Sequence, residues 1–171
     1  MVSAVQSLPN NSITPVFRLA TIDDVSTILS FIRKLAEYEK LAHEVVVTEQ
    51  TLEHHMFGPN PRAECLIAEI NGNPAGFALF FHNFSTFLGK PGLYLEDLFI
   101  DPEYRNQGLG MGFFQELAKI ALDRDCGRME WWVLDWNEPA LQFYKKLGAT
   151  SMSDWTVQRL GRGEIEALAI D

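Results

Sequence analysis

Alternating hydrophobic periods predict a mixed α/β fold, and three observations carry that prediction. Period-two apolar runs broken by Gly, Asn and Pro fill the first half, amphipathic series at helical spacing lie between them, and the second half reads strand-helix-strand-helix. The first half is expected to be mainly antiparallel, because its runs are joined by short turns. The chain's 171 residues suffice for one well-packed domain and are few for two. Hydrophobic residues make up 47% of it, with twelve Phe and four Trp, a supply that disordered chains lack.

Residues 1–15 are rich in Ser, Asn and Pro and show no hydrophobic period, so they read as a loose tail, with residues 16–171 as a single domain. A strand is expected at 16–20, then Thr21 as a helix cap before the amphipathic series Val25, Ile28, Leu29, Ile32, Leu35 and Ala36. Thr48 should cap a second, shorter helix ending near Gly58. The runs 64–70 and 75–84 flank the turn Asn71-Gly72-Asn73-Pro74 and should pair as an antiparallel hairpin. Further on come a strand at 93–100, a helix at 108–123, a strand at 129–134 and a helix at 139–147 stopped by Gly148. A last strand is expected at 155–160.

A formal charge of −9 argues against nucleic acid or an anionic membrane as the main partner and suits a cationic substrate. Cys65 sits in an apolar run and Cys126 in a polar turn, without CxxC spacing, which points to a reducing, cytoplasmic setting. No basic leader followed by a long apolar stretch stands near Met1, and no window approaches a membrane span, so a soluble, unexported chain is expected. His54 and His55 have no partners at ligand spacing, so no metal is expected.

The most informative segment runs from Leu98 through Phe99, Ile100, Asp101, Pro102, Glu103, Tyr104, Arg105, Asn106, Gln107, Gly108, Leu109, Gly110 and Met111 to Gly112. It joins a buried strand to a helix through a glycine-rich turn. Glycines let a backbone approach a ligand closely, and the free N–H groups at a helix start favour phosphate. Arg105 adds a positive charge. A dinucleotide fingerprint is excluded because Phe113 stands where it needs Gly, and no Gly-Lys-Ser/Thr follows for an ATP loop.

A second segment, Asn137-Glu138-Pro139-Ala140-Leu141-Gln142-Phe143-Tyr144-Lys145-Lys146-Leu147-Gly148, completes a pattern. Arg-x-x-Gly-x-Gly after a strand, then Asn-x-x-Ala-x-x-Phe-Tyr-x-x-x-Gly, together resemble the GNAT superfamily of N-acetyltransferases. Leu35-Ala36-Glu37-Tyr38-Glu39-Lys40-Leu41, Tyr94-Leu95-Glu96-Asp97 and Asp135-Trp136-Asn137-Glu138-Pro139 are similar to its diamine (spermidine/spermine) and thialysine acetyltransferases. The resemblance implies a mainly antiparallel twisted sheet of about six to seven strands with about four helices. It implies acetyl-CoA as cosubstrate, held by Leu98, Phe99, Ile100, Arg105, Asn106, Gln107, Gly108, Leu109, Gly110, Met111, Asn137, Ala140 and Lys146. It further implies Tyr144 as the catalytic tyrosine, Glu96 as the deprotonating group, Tyr38 and Glu39 as amine contacts, and a homodimer.

Elementary chemistry agrees with these roles. An alkyl amine of pKa near ~10.4 is neutral in roughly one molecule in a few thousand at pH 7, so a proton must leave before attack on a thioester. Glu96 and Asp97 are neighbours on a strand, so their side chains are expected on opposite faces, with Glu96 the one at the site. A phenol is a weaker acid than a thiol by roughly 1.5 pKa units, so Tyr144 would help the departing thiolate chiefly by a hydrogen bond. Neither cysteine has a His partner suggested by the sequence, which favours direct transfer.

Three departures from the diamine and thialysine relatives bear on substrate and cofactor. Ser85-Thr86-Phe87 stands where the diamine enzymes carry Asp-Pro-Trp and the thialysine enzymes Ser-Thr-Trp, which favours a short amino-acid-like amine. Asn106 replaces a loop Gly, and Asn tolerates a left-handed backbone. The stretch from Ala149 to Trp155 is short, and Trp155 receives no catalytic role. A peptide or aminoglycoside amine, and a non-catalytic acyl-CoA-binding dimer, are the alternative readings.

Overall fold

The computed structural model describes residues 14–170. The tail expected over 1–15 lies almost wholly outside them. The chain forms two compact units, the first closing at Trp132 and the second opening at Val133.

The first unit is built on a five-stranded sheet in the order β1 (Val16–Leu19), β2 (Glu64–Ile70), β3 (Asn73–Ser85), β4 (Lys90–Ile100) and β5 (Arg128–Trp131). Neighbours are antiparallel except β4 and β5, which run parallel. That exception follows from the connection, since α3 (Leu109–Asp123) carries the chain back across the sheet. The β2–β3 hairpin turns on Asn71 and Gly72, both at positive φ, and Ile70 pairs with Asn73. Asn-Gly favours this turn because both central residues need the left-handed region, whose twist matches that of the strands.

Register divides the sheet side chains between two faces. Cys65, Ile67, Phe77 and Phe99 meet Val25, Ile28, Leu29 and Phe31 of α1 (Val25–Tyr38), with Leu52 of α2 (Glu49–Leu52) and Met56 of the π-helical turn that follows. Phe31 stacks on Phe77 at 5.7 Å between ring centres. On the other face α3 buries Leu109, Phe113, Phe114 and Leu117. Phe17 of β1 meets Phe113 edge-on at 5.1 Å, and Phe114 meets Trp131 of β5 at 4.9 Å. Asp24, buried at the start of α1, holds Arg18 through two charge-assisted hydrogen bonds of 2.7 and 2.8 Å, which keep its carboxyl at about 2.

The second unit contains α4 (Glu138–Lys146) and α5 (Arg162–Leu168). The mixed class and the mainly antiparallel sheet agree with the sequence, but the details differ. Among the described residues five strands form where about six to seven were expected, and five α-helices where about four were. Residues 155–160 form no strand; Trp155, Val157 and Leu160 are β-prone, yet they have no ladder and are 73%, 55% and 54% exposed. β5 ends at Trp131, three residues before the expected boundary at 134.

Gly76 pairs with Ile100 at the end of β4, and a Cβ there would lie 2.5 Å from the carbonyl oxygen of Phe99. Backbone cannot yield as a side-chain tip does. Gly76→Ala is therefore expected to lower stability by roughly 1–3 kcal/mol, read as a lower midpoint in urea at unchanged slope.

Candidate active site

The site starts from a mismatch of one residue. Leu79 of β3 pairs with Asp97 and Phe80 with Leu95, so Glu96 is an extra residue in β4, a β-bulge. Paired residues share a face, so Asp97 lies with Leu79, Phe77 and Phe99 on the α1 side. Tyr94, paired with Phe81, is on that side too, and alternation from Tyr94 through Leu95 brings Glu96 there as well. The expectation that Glu96 and Asp97 point to opposite faces is corrected: it assumed unbroken alternation, which the bulge interrupts.

The bulge coincides with the end of pairing on β4's other edge. β5 follows β4 only from Gly92 to Leu95, whereas β3 follows it to Ile100. Among the described residues, no strand pairs with that edge over 97–100. Leu98, Phe99 and Ile100 thus stand at an open edge able to take an extended, amide-bearing chain.

A third carboxylate comes from the end of α1. Glu39 is its C-cap, and Lys40 follows at φ 63°, with Lys40 N–H donating to Glu37 O at 3.1 Å and Leu41 N–H to Ala36 O at 2.8 Å. This double bond pattern fixes the helix end and leaves Glu39 half-buried, which pushes its carboxyl up. Asp97 is pushed further, to about 6, first by burial and then by the negative charges of Glu96 and Glu39. Asp97 is the member of this carboxylate group that sequence reasoning set aside; its only signal was its place beside Glu96.

The glycine loop leaves β4 through Asp101, whose carboxylate pairs with Lys34 of α1 and accepts from Glu103 N–H at 3.4 Å. Asn106 has φ 61° and Gly108 φ 82°, so Asn106 does adopt the left-handed backbone that its residue type tolerates. Gly108 is the N-cap of α3 and offers no side-chain cap; the first intrahelical bond there runs from Gly112 N–H to Gly108 O at 3.0 Å. The N–H groups of Leu109, Gly110 and Met111 precede it and have no acceptor within the helix. Gln107 donates to Glu103 O at 3.3 Å, and Arg105 donates from Nε to Ile100 O at 3.0 Å. An open strand edge running into an uncapped helix start presents backbone N–H and C=O groups to an extended, anionic ligand.

In the second unit, Asn137, Ala140, Tyr144 and Lys146 share α4. Asn137 is its N-cap, with Oδ1 accepting from Ala140 N–H at 3.4 Å, which explains the Asn-x-x-Ala spacing locally. Lys145 and Lys146 complement the C-terminal dipole, and Gly148 at φ 85° closes the helix with Ala149 N–H donating to Tyr144 O at 3.1 Å. Tyr144 is half-buried, 5.6 Å from Phe143 between ring centres. Ser85 lies at the far end of β3, buried, its Oγ accepting from Leu88 N–H at 3.3 Å, while Phe87 is 95% exposed. Among the described residues no cluster of metal-ligating side chains occurs, and no helix is long and apolar enough to cross a membrane.

The sequence pattern of the acetyltransferase (GNAT) family matches residues 32–149. The chain belongs to that family, whose cosubstrate is acetyl-CoA, and it is an amine N-acetyltransferase. It is 39% identical to the thialysine N-epsilon-acetyltransferase of Bos taurus, over 88% of this chain and 93% of that protein. It is 31% identical to the L-ornithine N5-acetyltransferase NATA1 of Arabidopsis thaliana, over 88% of this chain and 86% of that protein. Among solved structures, an integron cassette protein of V. cholerae superposes with a TM-score of 0.75 at 22% identity, covering 91% of this chain and 98% of its own, a likeness of fold.

The raised carboxyl of Asp97 has a consequence for stability. Unfolded, Asp97 titrates near 3.8; folded, near 6, so between these values the fold holds more protons than the unfolded chain. Its contribution is fully present below pH 4 and is lost as pH rises through 6. Asp97→Asn is therefore expected to be more stable than the wild type at pH 8, by up to roughly 2–3 kcal/mol, with the difference shrinking toward zero below pH 4 in denaturant titrations.

Proposed function

We propose that this enzyme transfers the acetyl group of acetyl-CoA directly to the side-chain amine of a short, cationic amino acid such as thialysine or ornithine. The observation that carries this reading is the convergence of Glu39, Glu96 and Asp97 beside the open edge of β4. Like charges so placed repel, and an ammonium group entering among them relieves that repulsion. The names of the thialysine and ornithine relatives support the same substrate class.

Acetyl-CoA supplies an activated acyl carbon; the chain's residues do the rest. Leu98, Phe99 and Ile100 are read as pairing with the pantetheine arm, and the loop from Asn106 to Met111 as holding the pyrophosphate, with Asn137, Ala140 and Lys146 as further contacts. Tyr38, Glu39 and Asp97 hold the amine. Glu96, exposed at the bulge, accepts the ammonium proton and passes it to solvent, leaving the nitrogen lone pair for the acyl carbon. Tyr144 donates a hydrogen bond to the departing thiolate. The family pattern crosses from the first unit into the second, which supports reading 16–171 as one acetyltransferase domain. On the sequence resemblance, its working form is a cytoplasmic homodimer.

Release of CoA thiol is the test, with thialysine, lysine, ornithine, putrescine, spermidine and an aminoglycoside as acceptors. Thialysine or ornithine should give the highest kcat/KM, and Glu96→Gln should lower kcat by roughly 10²-fold or more. Tyr144→Phe should also slow turnover while leaving CoA affinity near the wild-type value. Turnover confined to the aminoglycoside, or CoA binding without turnover on any acceptor, would overturn the substrate class. With the preferred amine, kcat/KM should fall on the acid side with a limb near pH 6 as Asp97 protonates, and Asp97→Asn should abolish that limb.

A further inference from the structure

Arg105 carries the charge expected of a phosphate ligand, yet its side chain turns back onto the sheet. Its Nε donates to the carbonyl of Ile100 at 3.0 Å, and its guanidinium carbon lies 5.2 Å from the ring centre of Tyr38 and 5.8 Å from that of Phe99. These partners belong to different working parts. Phe99 and Ile100 end the open edge of β4, Tyr38 is the last residue of α1 before Glu39, and Arg105 itself opens the glycine loop.

We propose that Arg105 is a positioning residue that ties the amine-binding end of α1 to the acyl-donor edge of β4 and to the phosphate loop. The proposal rests on the acetyl-transfer reading above and deepens it. A guanidinium suits the task because one planar group can lie against rings while an N–H at its rim reaches a carbonyl; an ammonium on a flexible stem cannot hold both. Immediately after Arg105, Asn106 at φ 61° bends the backbone, and Gly108 at φ 82° starts α3. Movement of the loop is thus passed to Tyr38 and, one residue on, to Glu39. Donor and amine binding are coupled through this side chain, and such coupling is reciprocal.

The deciding comparison uses two donors, acetyl-CoA and S-acetylpantetheine, which lacks the pyrophosphate. Wild type, Arg105→Lys, Arg105→Met, Tyr38→Leu and the Met/Leu double variant are measured for equilibrium CoA binding, kinetics with each donor, amine KM and thermal unfolding. Loss of a stacked cation and a charged hydrogen bond should cost Arg105→Met roughly tenfold in kcat/KM with both donors and should raise the amine KM. Arg105→Lys should not restore them. Tyr38→Leu should weaken CoA binding, and the double variant should be little worse than Arg105→Met alone. A loss confined to acetyl-CoA, with S-acetylpantetheine, the amine KM and the CoA affinity of Tyr38→Leu unmoved, would show a simple phosphate ligand and overturn the proposal. Should Arg105→Met fail to fold, the CoA affinity of Tyr38→Leu decides alone. A wild-type chain that binds no CoA would overturn the underlying site assignment, and the positioning role with it.

Discussion

The one-residue mismatch between β3 and β4 is the constraint on which the rest of the site depends. Without Glu96 as an extra residue, strict alternation would put the carboxylates of residues 96 and 97 on opposite sides of the sheet. The pairing of β4 with β5 stops at the residue before it, so the edge beyond has no strand partner among the described residues. Bulges bend a strand and increase its twist, a local reason for β5 to follow β4 no further. One insertion thus gathers negative charge and leaves a neighbouring length of backbone available for a ligand.

Electrostatic cost is the counterpart of that arrangement. The fold holds Asp97 half-buried between two other carboxylates and raises it to about 6, an arrangement poorer for folding than a neutral side chain. Several other carboxylates are matched: Asp24 and Glu69 share Arg18, and Glu64 pairs with Arg124. The contrast makes this carboxylate group the natural place to look for a cationic ligand. Lys40 adds to it: a non-glycine residue in the left-handed region ends α1 directly after Tyr38 and Glu39.

Much of the fold was legible because local chemistry dictates it. Asn71-Gly72 specified its turn, Thr48 capped α2 with Oγ1 accepting from Thr51 N–H at 3.2 Å, and Gly148 stopped α4. The glycine-rich turn before α3 was equally readable, down to Asn106 at positive φ. What escaped was set by register or by distant partners. Nothing in Tyr94-Leu95-Glu96-Asp97 announces a bulge, since it depends on how β3 lies against β4, and so the placement of Asp97 on the same face as Glu96 was missed. Residues 155–160 failed in the reverse sense, because β-propensity expresses a fit to neighbours and no neighbouring strand pairs with them.

The open edge of β4 has a further consequence, for solubility rather than for catalysis. Unpaired strand edges are templates onto which another chain's strand can add, and proteins commonly protect them with charge and with irregular backbone. Here both protections sit at the mouth of the edge, in the bulge and in the adjacent carboxylates of Glu96 and Asp97. A second polypeptide strand approaching this edge would have to bury two negative groups at a broken register. A cationic small molecule and a slender thioester arm meet neither obstacle. The bulge and its carboxylates therefore also guard this edge against the addition of another chain's strand.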